Sequence, residues 1–232
     1  MTPRAPQYTL LFDLDGTLID SVDLILRSKQ YAFESRGLQA PSDAEWLRWL
    51  GTPLRDTFAR FTDEPAEVDR FIAAYREFQM AHHDELLRPY PGVRDALAAL
   101  RAAGHPFGVV TSKSVELSER GLARLGLLEF MDTIVGADST QRHKPDPEPV
   151  RVALERLNTP AERAVFVGDS VHDMYAGNAA GVGTVAALWG PFTRAELEPS
   201  RPTYYLEHPG GLPALVAGLA GGAPETAFRA GA

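Results

Sequence analysis

The chain has 232 residues, a formal net charge of -8 and no cysteine, and 44% of its residues are hydrophobic. The lack of cysteine excludes disulfide bonds, thiolate catalysis and cysteine metal sites, and the negative charge disfavours nucleic acid as a partner. No apolar run is long enough to span a bilayer, and residues 1–6 lack the apolar region of a signal peptide. We therefore expect a cytoplasmic protein that acts on neither membranes nor nucleic acids.

The first predicted element is a buried strand that ends in two acidic residues. Residues 10–18 read LLFDLDGTL, so an apolar run leads into Asp13 and Asp15, with Gly16 allowing a tight turn. Two carboxylates this close repel each other unless a cation or a shared proton intervenes, which indicates a metal site or an acid/base pair. A plain Asp/Gly turn is the alternative. A calcium loop is excluded, because its glycine comes later and a glutamate closes it.

The segment from residue 21 to residue 87 is predicted to be helical. The spacing of its apolar residues indicates four helices, and Gly and Pro residues break the pattern between them. The predicted helices cover residues 22–33, 43–49, 54–61 and 68–83.

From residue 107 onwards, predicted strands and helices alternate. The strands are expected at 107–110, 133–135, 164–167, 184–188 and 203–206. The helices are expected at 115–125, 147–157, 171–180 and 211–219. This alternation predicts a parallel sheet with helices on both faces. The Gly/Ala-rich tail from Gly221 is expected to be disordered.

Further polar residues follow the later strands. Thr111 stands at a strand end, where a hydroxyl binds a phosphate oxygen or caps the next helix. Lys144 precedes two prolines that fix the backbone and open a helix. Asp169 at a strand edge and Asp173 on the first helical turn can face one point, although each is also an ordinary residue for a helix N-terminus.

The order strand-DxDGT, strand-Thr, Lys-Pro, strand-GDxxxD resembles the haloacid dehalogenase-like superfamily of phosphohydrolases. Residues 12–21, FDLDGTLIDS, and residues 89–93, PYPGV, look most like its phosphoglycolate phosphatase group. The resemblance covers about residues 8–210. Dehalogenases proper lack the second acid of the first motif, so Asp15 argues against that activity.

The resemblance implies a two-part architecture. An α/β core, with a Rossmann-like parallel sheet and helices on both faces, is expected from residues 1–20 and 88–232. An all-helical cap is expected as an insertion at residues 21–87. Its linkers near Asp20 and Pro89 are predicted to act as hinges for a lid that excludes water and sets specificity.

The resemblance also implies a role for each core residue. Asp13 is expected to attack phosphorus and form an aspartyl-phosphate, and Asp15 to protonate the leaving alkoxide and later activate water. Thr111, Ser112 and Lys144 are expected to bind the phosphoryl group, with the lysine opposing its negative charge.

Mg²⁺ is the cofactor that the resemblance implies, a hard cation that accepts carboxylates, waters and substrate phosphate. Asp13 and Asp169 are expected as direct ligands, and Asp15 through its backbone carbonyl. Asp173 is expected to act through a water or by orienting Lys144. Because Asp13 and an incoming phosphate repel each other, activity is predicted to require the cation.

In the predicted cap, several residues have competing interpretations. Arg55 is the candidate for a substrate carboxylate or second phosphate, since arginine forks onto planar anions. Trp46 and Trp49 are expected to pack the cap rather than line a pocket. Lys113 is a further candidate substrate contact, and a metal site at the adjacent histidines of residues 82–83 is disfavoured.

Three functions fit these motifs. The favoured one is a Mg²⁺-dependent phosphatase on a small phosphorylated metabolite, with phosphoglycolate as the leading substrate. Pyrophosphatases and broad sugar-phosphate phosphatases have the same sequence motifs. A phosphomutase of the β-phosphoglucomutase type shares every core residue, although Gly16-Thr17 favours hydrolysis over the Gly-Val common among mutases. An inactive scaffold is disfavoured because Asp13, Asp15 and Asp169 are all present. A monomer or a homodimer is expected.

Overall fold

The computed structural model describes residues 7–221. Its strands are β1 (Thr9–Phe12), β2 (Ile19–Asp20), β3 (Arg88–Pro89), β4 (Phe107–Val110), β5 (Thr133–Val135), β6 (Ala164–Gly168), β7 (Gly183–Ala187) and β8 (Tyr204–Leu206). Six of these strands form one parallel sheet in the order β5-β4-β1-β6-β7-β8. The other two, β2 and β3, form a separate antiparallel pair.

Ten helices accompany the strands in the described part of the chain. They are α1 (Val22–Glu34), α2 (Asp43–Leu47), α3 (Leu54–Phe58), α4 (Pro65–Leu86), α5 (Val93–Ala102), α6 (Val115–Arg124), α7 (Glu148–Arg156), α8 (Val171–Ala180), α9 (Arg194–Leu197) and α10 (Leu212–Gly221). Across residues 7–221, no helix combines the length and apolar character that crossing a bilayer requires.

The central strand β1 is apolar because both faces of the sheet are covered. Leu10 and Phe12 pack in the cluster on one face, with apolar residues of α5, α6 and α10. Leu11 points the other way and packs with Phe166 and with residues of α7 and α8. Since successive side chains of a strand alternate between faces, a strand covered on both sides needs consecutive apolar residues. The fold class predicted from the sequence is confirmed.

Helices α1 to α4, here called the cap helices, are inserted between β2 and β3. They pack around their own cluster of aromatic rings, which is separate from the clusters of the sheet. Phe58 lies at its centre, stacked on Phe71 at 5.1 Å and in ring contact with Phe33, Trp46 and Tyr75. The antiparallel β2–β3 pair brings both ends of the insertion to one place on the core.

The predicted elements agree with the observed ones within three residues at each end. The exceptions, which the sequence analysis did not predict, are β2, β3, α9 and the longer helix α5. The buried residues of α5 have helical spacing and are Val93, Ala96, Leu97 and Leu100. Gly221, predicted to begin a disordered tail, is instead the last residue of α10. Residues 222–232 and 1–6 lie outside the described residues.

Replacing Phe58 with alanine is expected to destabilise the cap helices. Phe58 is fully buried among four rings, and Phe-to-Ala substitutions in a packed core cost about 3–5 kcal/mol. Urea unfolding followed by tryptophan fluorescence reports on this region, because Trp46 and Trp49 belong to it. Leu38→Ala, at a half-exposed position, is the control and is expected to change stability by less than about 0.5 kcal/mol. Equal effects of the two substitutions would contradict this description of the cap.

Candidate active site

The ends of three neighbouring strands bring the predicted residues together. Asp13 follows β1, Thr111 follows β4 and Asp169 follows β6, and β1 lies between the other two strands. Because carboxyl ends of parallel strands meet at one edge, the three side chains share that edge. The backbone N–H of Asp13 still donates to the carbonyl of Val167 at 2.9 Å. This bond extends the sheet hydrogen bonding past the strand and fixes the start of the loop.

Three buried carboxylates converge at this edge. Oxygens of Asp13, Asp169 and Asp173 lie within 4.8 Å of one another. Lys144 Nζ lies 2.8 Å from Asp13 Oδ1 and 2.6 Å from Asp173 Oδ1, and it donates to the carbonyl of Val110 at 3.2 Å. One lysine therefore faces three acids, and the cluster carries more negative than positive charge.

The pKa values reflect this imbalance. Burial, followed by the charge of Asp173, raises the pKa of Asp13 to about 7 even though Lys144 opposes the shift. Burial and the charges of Asp13 and Asp173 raise the pKa of Asp169 well above its usual value. Burial alone would lower the pKa of Lys144, but the same two carboxylates raise it well above its usual value. The lysine is therefore charged, and the acids have no further positive partner among residues 7–221.

Both carboxylate oxygens of Asp173 are hydrogen-bonded within the protein. Its Oδ2 accepts from the hydroxyl of Ser170 at 2.6 Å and from the backbone N–H of Ser170 at 3.0 Å. The backbone N–H of Asp173 in turn donates to Ser170 Oγ at 3.3 Å, which completes a capping box at the start of α8. Asp173 therefore holds Lys144 only through its Oδ1, while its Oδ2 is occupied by Ser170.

Asp169 presents an oxygen that has no partner among residues 7–221. Its Oδ1 accepts from the hydroxyl of Thr17 at 2.9 Å, whereas its Oδ2 is buried and unpaired. Gly16, at φ +88°, leaves room for this carboxylate, because a Cβ there would lie 2.3 Å from Asp169 Oδ2. A Cβ on Gly190 would lie 2.6 Å from Asp169 Cβ. A buried anionic oxygen between two glycines, beside the Asp13 carboxylate, suits the carboxylate-and-water coordination of Mg²⁺.

Asp15 is not a member of the cluster of three acids. Its Oδ1 accepts from the hydroxyl of Ser21 at 2.6 Å and from Lys113 Nζ at 2.7 Å. Lys113, a candidate substrate contact by sequence, is thus paired with Asp15 in this structure. Asp13 and Asp15 line the same cavity, so the two carboxylates of the first motif face one space from different positions.

The two hydroxyls after β4 have different surroundings. Thr111 Oγ1 accepts from the backbone N–H of Lys113 at 3.2 Å, which leaves its proton free to donate towards the cavity. The hydroxyl of Ser112 donates to the carbonyl of Gly51 in the cap segment at 2.6 Å. Ser112, predicted to bind substrate, therefore joins the core to the cap here, and Thr111 remains the better placed hydroxyl.

A second contact holds the same cap loop to the core. Thr52 Oγ1 lies 3.4 Å from His172 Nε2, and a Cβ on Gly51 would lie 3.3 Å from Ser170 Oγ. The loop after α2 is therefore seated on the start of α8.

The cavity between core and cap helices has a volume of about 780 Å³. Trp46 and Trp49 pack in the cap cluster, as predicted, and also form part of its wall. Arg55 lies on this wall, but it is half-exposed and forms an ion pair with Asp69. His83 is buried, its Nδ1–H donates to the Asp84 carboxylate at 2.8 Å, and it does not line this cavity.

Sequence reasoning missed three wall residues of α4, namely Tyr75, Arg76 and Gln79. Their polar groups recur at helical spacing within the predicted fourth helix, which is the signal that was present. Only the packing of the cap shows that this face of the helix meets the active site.

Comparison with known proteins agrees with this geometry. Residues 10–187 match the model of a family described as haloacid dehalogenase-like hydrolase. A putative pyrophosphatase PpaX from Caldanaerobacter subterraneus is 37% identical over 198 residues, covering 85% of this chain and 89% of that protein. A pyrophosphatase PpaX from Bacillus cereus is 38% identical over 199 residues, covering 86% and 91%.

Solved structures show the same arrangement. A putative haloacid dehalogenase-like hydrolase from Bacteroides fragilis superposes with a TM-score of 0.83 at 25% identity, covering 89% of this chain and 99% of that one. A putative phosphoglycolate phosphatase from Lactobacillus plantarum superposes with a TM-score of 0.77 at 28% identity, covering 88% and 96%. With the strand-end acids, the lysine and the family match in agreement, this chain belongs to the haloacid dehalogenase-like hydrolases.

Proposed function

We propose that this chain is a Mg²⁺-dependent phosphatase that hydrolyses a small phosphate monoester through an aspartyl-phosphate on Asp13, with phosphoglycolate as the favoured substrate. The observation that carries the proposal is the 2.8 Å contact between the buried Asp13 carboxylate and Lys144 Nζ, at a strand end that opens onto the cavity. A carboxylate beside a fixed cation is suited to attack an anionic phosphoryl group, because phosphoryl transfer depends mainly on positioning and charge neutralisation.

Each step of the proposed reaction uses a side chain at the cavity between core and cap helices. An oxygen of Asp13 bonds to phosphorus as the bond from phosphorus to the leaving oxygen breaks, and Asp15 gives its proton to that oxygen. Ionised Asp15 then takes a proton from water. The water oxygen bonds to phosphorus, and the phosphate departs as the bond to Asp13 breaks. Thr111 and Lys144 hold the phosphoryl oxygens in both steps.

Asp13, Asp169 and the backbone carbonyl of Asp15 are the proposed Mg²⁺ ligands, with Asp173 acting through Lys144 or a water. The unpaired Asp169 Oδ2 and the excess of carboxylates over lysine support this assignment. When bound, the cation supplies charge neutralisation between the acids and the phosphoryl group.

The two parts of the fold are proposed to have different roles. Residues 21–87 are proposed to form a cap that closes over a core of residues 1–20 and 88–232, with the β2–β3 pair as the hinge. A cytoplasmic monomer or homodimer acting on a small phosphorylated metabolite fits these features.

A pyrophosphatase is the second candidate. It is favoured by the relatives named pyrophosphatase PpaX, which are 37–38% identical over 85–86% of this chain. A phosphomutase or a broad sugar-phosphate phosphatase would use the same core residues and differ in the acceptor or in the cap.

Phosphate release from phosphoglycolate, pyrophosphate, sugar phosphates and nucleotides tests the proposal. Release is expected to require Mg²⁺ and to stop in EDTA. It is expected to fall more than about 1,000-fold in Asp13→Asn, because the nucleophile is lost. Asp23→Asn, an exposed aspartate paired with Arg27, is the matched control and is expected to retain activity.

The outcomes of this assay separate the candidates. The substrate with the highest kcat/KM ranks phosphoglycolate against pyrophosphate. Isomerisation of sugar phosphates without net phosphate release would indicate a mutase. Release that survives Asp13→Asn would contradict the aspartyl-phosphate mechanism.

Gly16→Ala is expected to remove most Mg²⁺-dependent activity while the protein still folds. A Cβ there would lie 2.3 Å from Asp169 Oδ2 and would displace the proposed ligand. Gly37→Ala is the matched control, because Gly37 also has a positive φ, +67°, but open space around it. Both variants carry a left-handed backbone cost of about 1 kcal/mol. Activity assays with a Mg²⁺ titration compare them; equal losses would show that Gly16 matters for the backbone alone.

The stability of the metal-free protein is expected to fall as pH rises from about 4 to 8. The pKa of Asp13 is about 7 in the folded protein against 3.8 for a free side chain. A raised pKa means that the folded state binds the proton more tightly, so this contribution is complete below about pH 4 and lost as pH passes 7. Melting temperatures in EDTA across this range measure it. Asp13→Asn is expected to flatten the profile, and Asp23→Asn to leave it unchanged; an unchanged slope in Asp13→Asn would refute the assignment.

A further inference from the structure

One face of α4 carries polar side chains into the cavity. Ile72, Tyr75, Arg76, Gln79 and Met80 all line it. Their spacing of three, four, seven and eight residues places them on one side of a helix. We call Tyr75, Arg76 and Gln79 the polar stripe.

The polar stripe has no hydrogen-bond or ion-pair partner within residues 7–221. Tyr75 and Gln79 are only 3% and 5% exposed as whole residues. Their polar atoms remain accessible from the cavity. Two polar groups that have no protein partner among the described residues and face the cavity mark a place where a ligand can supply the partner.

Arg76 differs from the other cations of the described cavity wall. Lys113 is paired with Asp15, and Arg55 is paired with Asp69. Arg76 has no carboxylate within ion-pair distance among the described residues and is exposed at the cavity. Its charge is therefore available to a bound anion.

We propose that Tyr75, Arg76 and Gln79 recognise the leaving group of the substrate, and that this leaving group carries an anion, either a carboxylate or a second phosphate. The inference rests on the proposed phosphatase function and deepens it. A phenol, a guanidinium and an amide each offer hydrogen-bond donors, and the guanidinium offers a fork of them, which suits oxygens that only accept.

The location of the stripe agrees with this role. Asp15 is the proposed acid that protonates the leaving oxygen, so the leaving group lies on its side of the cavity. Burial, followed by the nearby charge of Asp15, raises the pKa of Tyr75 well above its usual value. The Tyr75 hydroxyl is therefore protonated at neutral pH and able to donate to an anion next to Asp15.

The test compares substrates that differ only in the distal anion. Phosphoglycolate and ethyl phosphate share a two-carbon skeleton, and only the first carries a carboxylate; pyrophosphate supplies the second phosphate. In Arg76→Ala, the ratio of kcat/KM for the anionic substrate to that for ethyl phosphate is expected to fall about 10- to 100-fold, the effect of losing one charged hydrogen bond. Tyr75→Phe and Gln79→Leu are expected to lower it about 2- to 10-fold. A fall confined to phosphoglycolate identifies a carboxylate, and one confined to pyrophosphate a phosphate.

Two control variants test whether the expected effect is specific to the polar stripe. Arg70→Ala removes an arginine of the same helix that is paired with Glu67 and lies off the cavity wall, and it is expected to leave the ratio unchanged. Glu116→Gln tests whether Arg76 instead serves cap closure by pairing with Glu116 across the cavity. An unchanged ratio in Arg76→Ala, or the same loss in Glu116→Gln, would overturn the proposal.

A binding measurement separates this inference from the proposed function. Calorimetric binding of phosphoglycolate, pyrophosphate and ethyl phosphate to Asp13→Asn protein, with and without Arg76→Ala, needs no turnover. Weaker binding of either anionic compound in the double variant supports the stripe even if the wild-type protein releases no phosphate. Equal binding refutes the stripe even if hydrolysis is confirmed.

Discussion

The active site depends on one electrostatic constraint, the burial of three carboxylates around a single lysine. Asp13, Asp169 and Asp173 lie within 4.8 Å of one another, and Lys144 contacts two of them. Like charges at this spacing in a buried site are costly unless a cation or protons compensate. The raised pKa values of Asp13 and Asp169 express that cost. A divalent cation beside these acids would lower their pKa values and favour the ionised forms.

The surrounding backbone keeps these acids in place despite their repulsion. Asp13 and Asp169 follow strands that are hydrogen-bonded to each other in the middle of the sheet, and Asp173 is locked by a capping box at the start of α8. Gly168 completes the arrangement, because a Cβ there would lie 2.4 Å from Asp173 Cβ. Rigid elements therefore position charges that would move apart in a flexible loop.

Much of this core could be predicted from the sequence, because its signals are local. Consecutive apolar residues before Asp13 and Asp169 mark strands covered on both faces, and parallel topology brings their ends to one edge. The contacts made by and with the cap segment could not be predicted in this way. Ser112 was expected to bind substrate but donates to Gly51, and Arg55 was expected to bind an anion but is paired with Asp69. Such partners come from segments far apart in sequence, and no local pattern encodes the pairing.

The contrast between core and cap also explains why the core residues cannot distinguish the candidate substrates. In the proposed reaction, Asp13, Thr111 and Lys144 would contact the phosphoryl group, which phosphoglycolate, pyrophosphate and sugar phosphates have in common, so their geometry bears on the reaction type alone. Selectivity requires contacts with the part of the substrate that differs. That part extends towards the cap, where the wall is largely apolar apart from paired ions and the polar stripe of α4. An uncharged leaving group would leave Tyr75 and Gln79 without hydrogen bonds after cap closure, at a cost of about 1–3 kcal/mol each. In the proposed arrangement an anionic leaving group would satisfy both and neutralise Arg76, so the cap would select against the uncharged alternative as well as for the charged one.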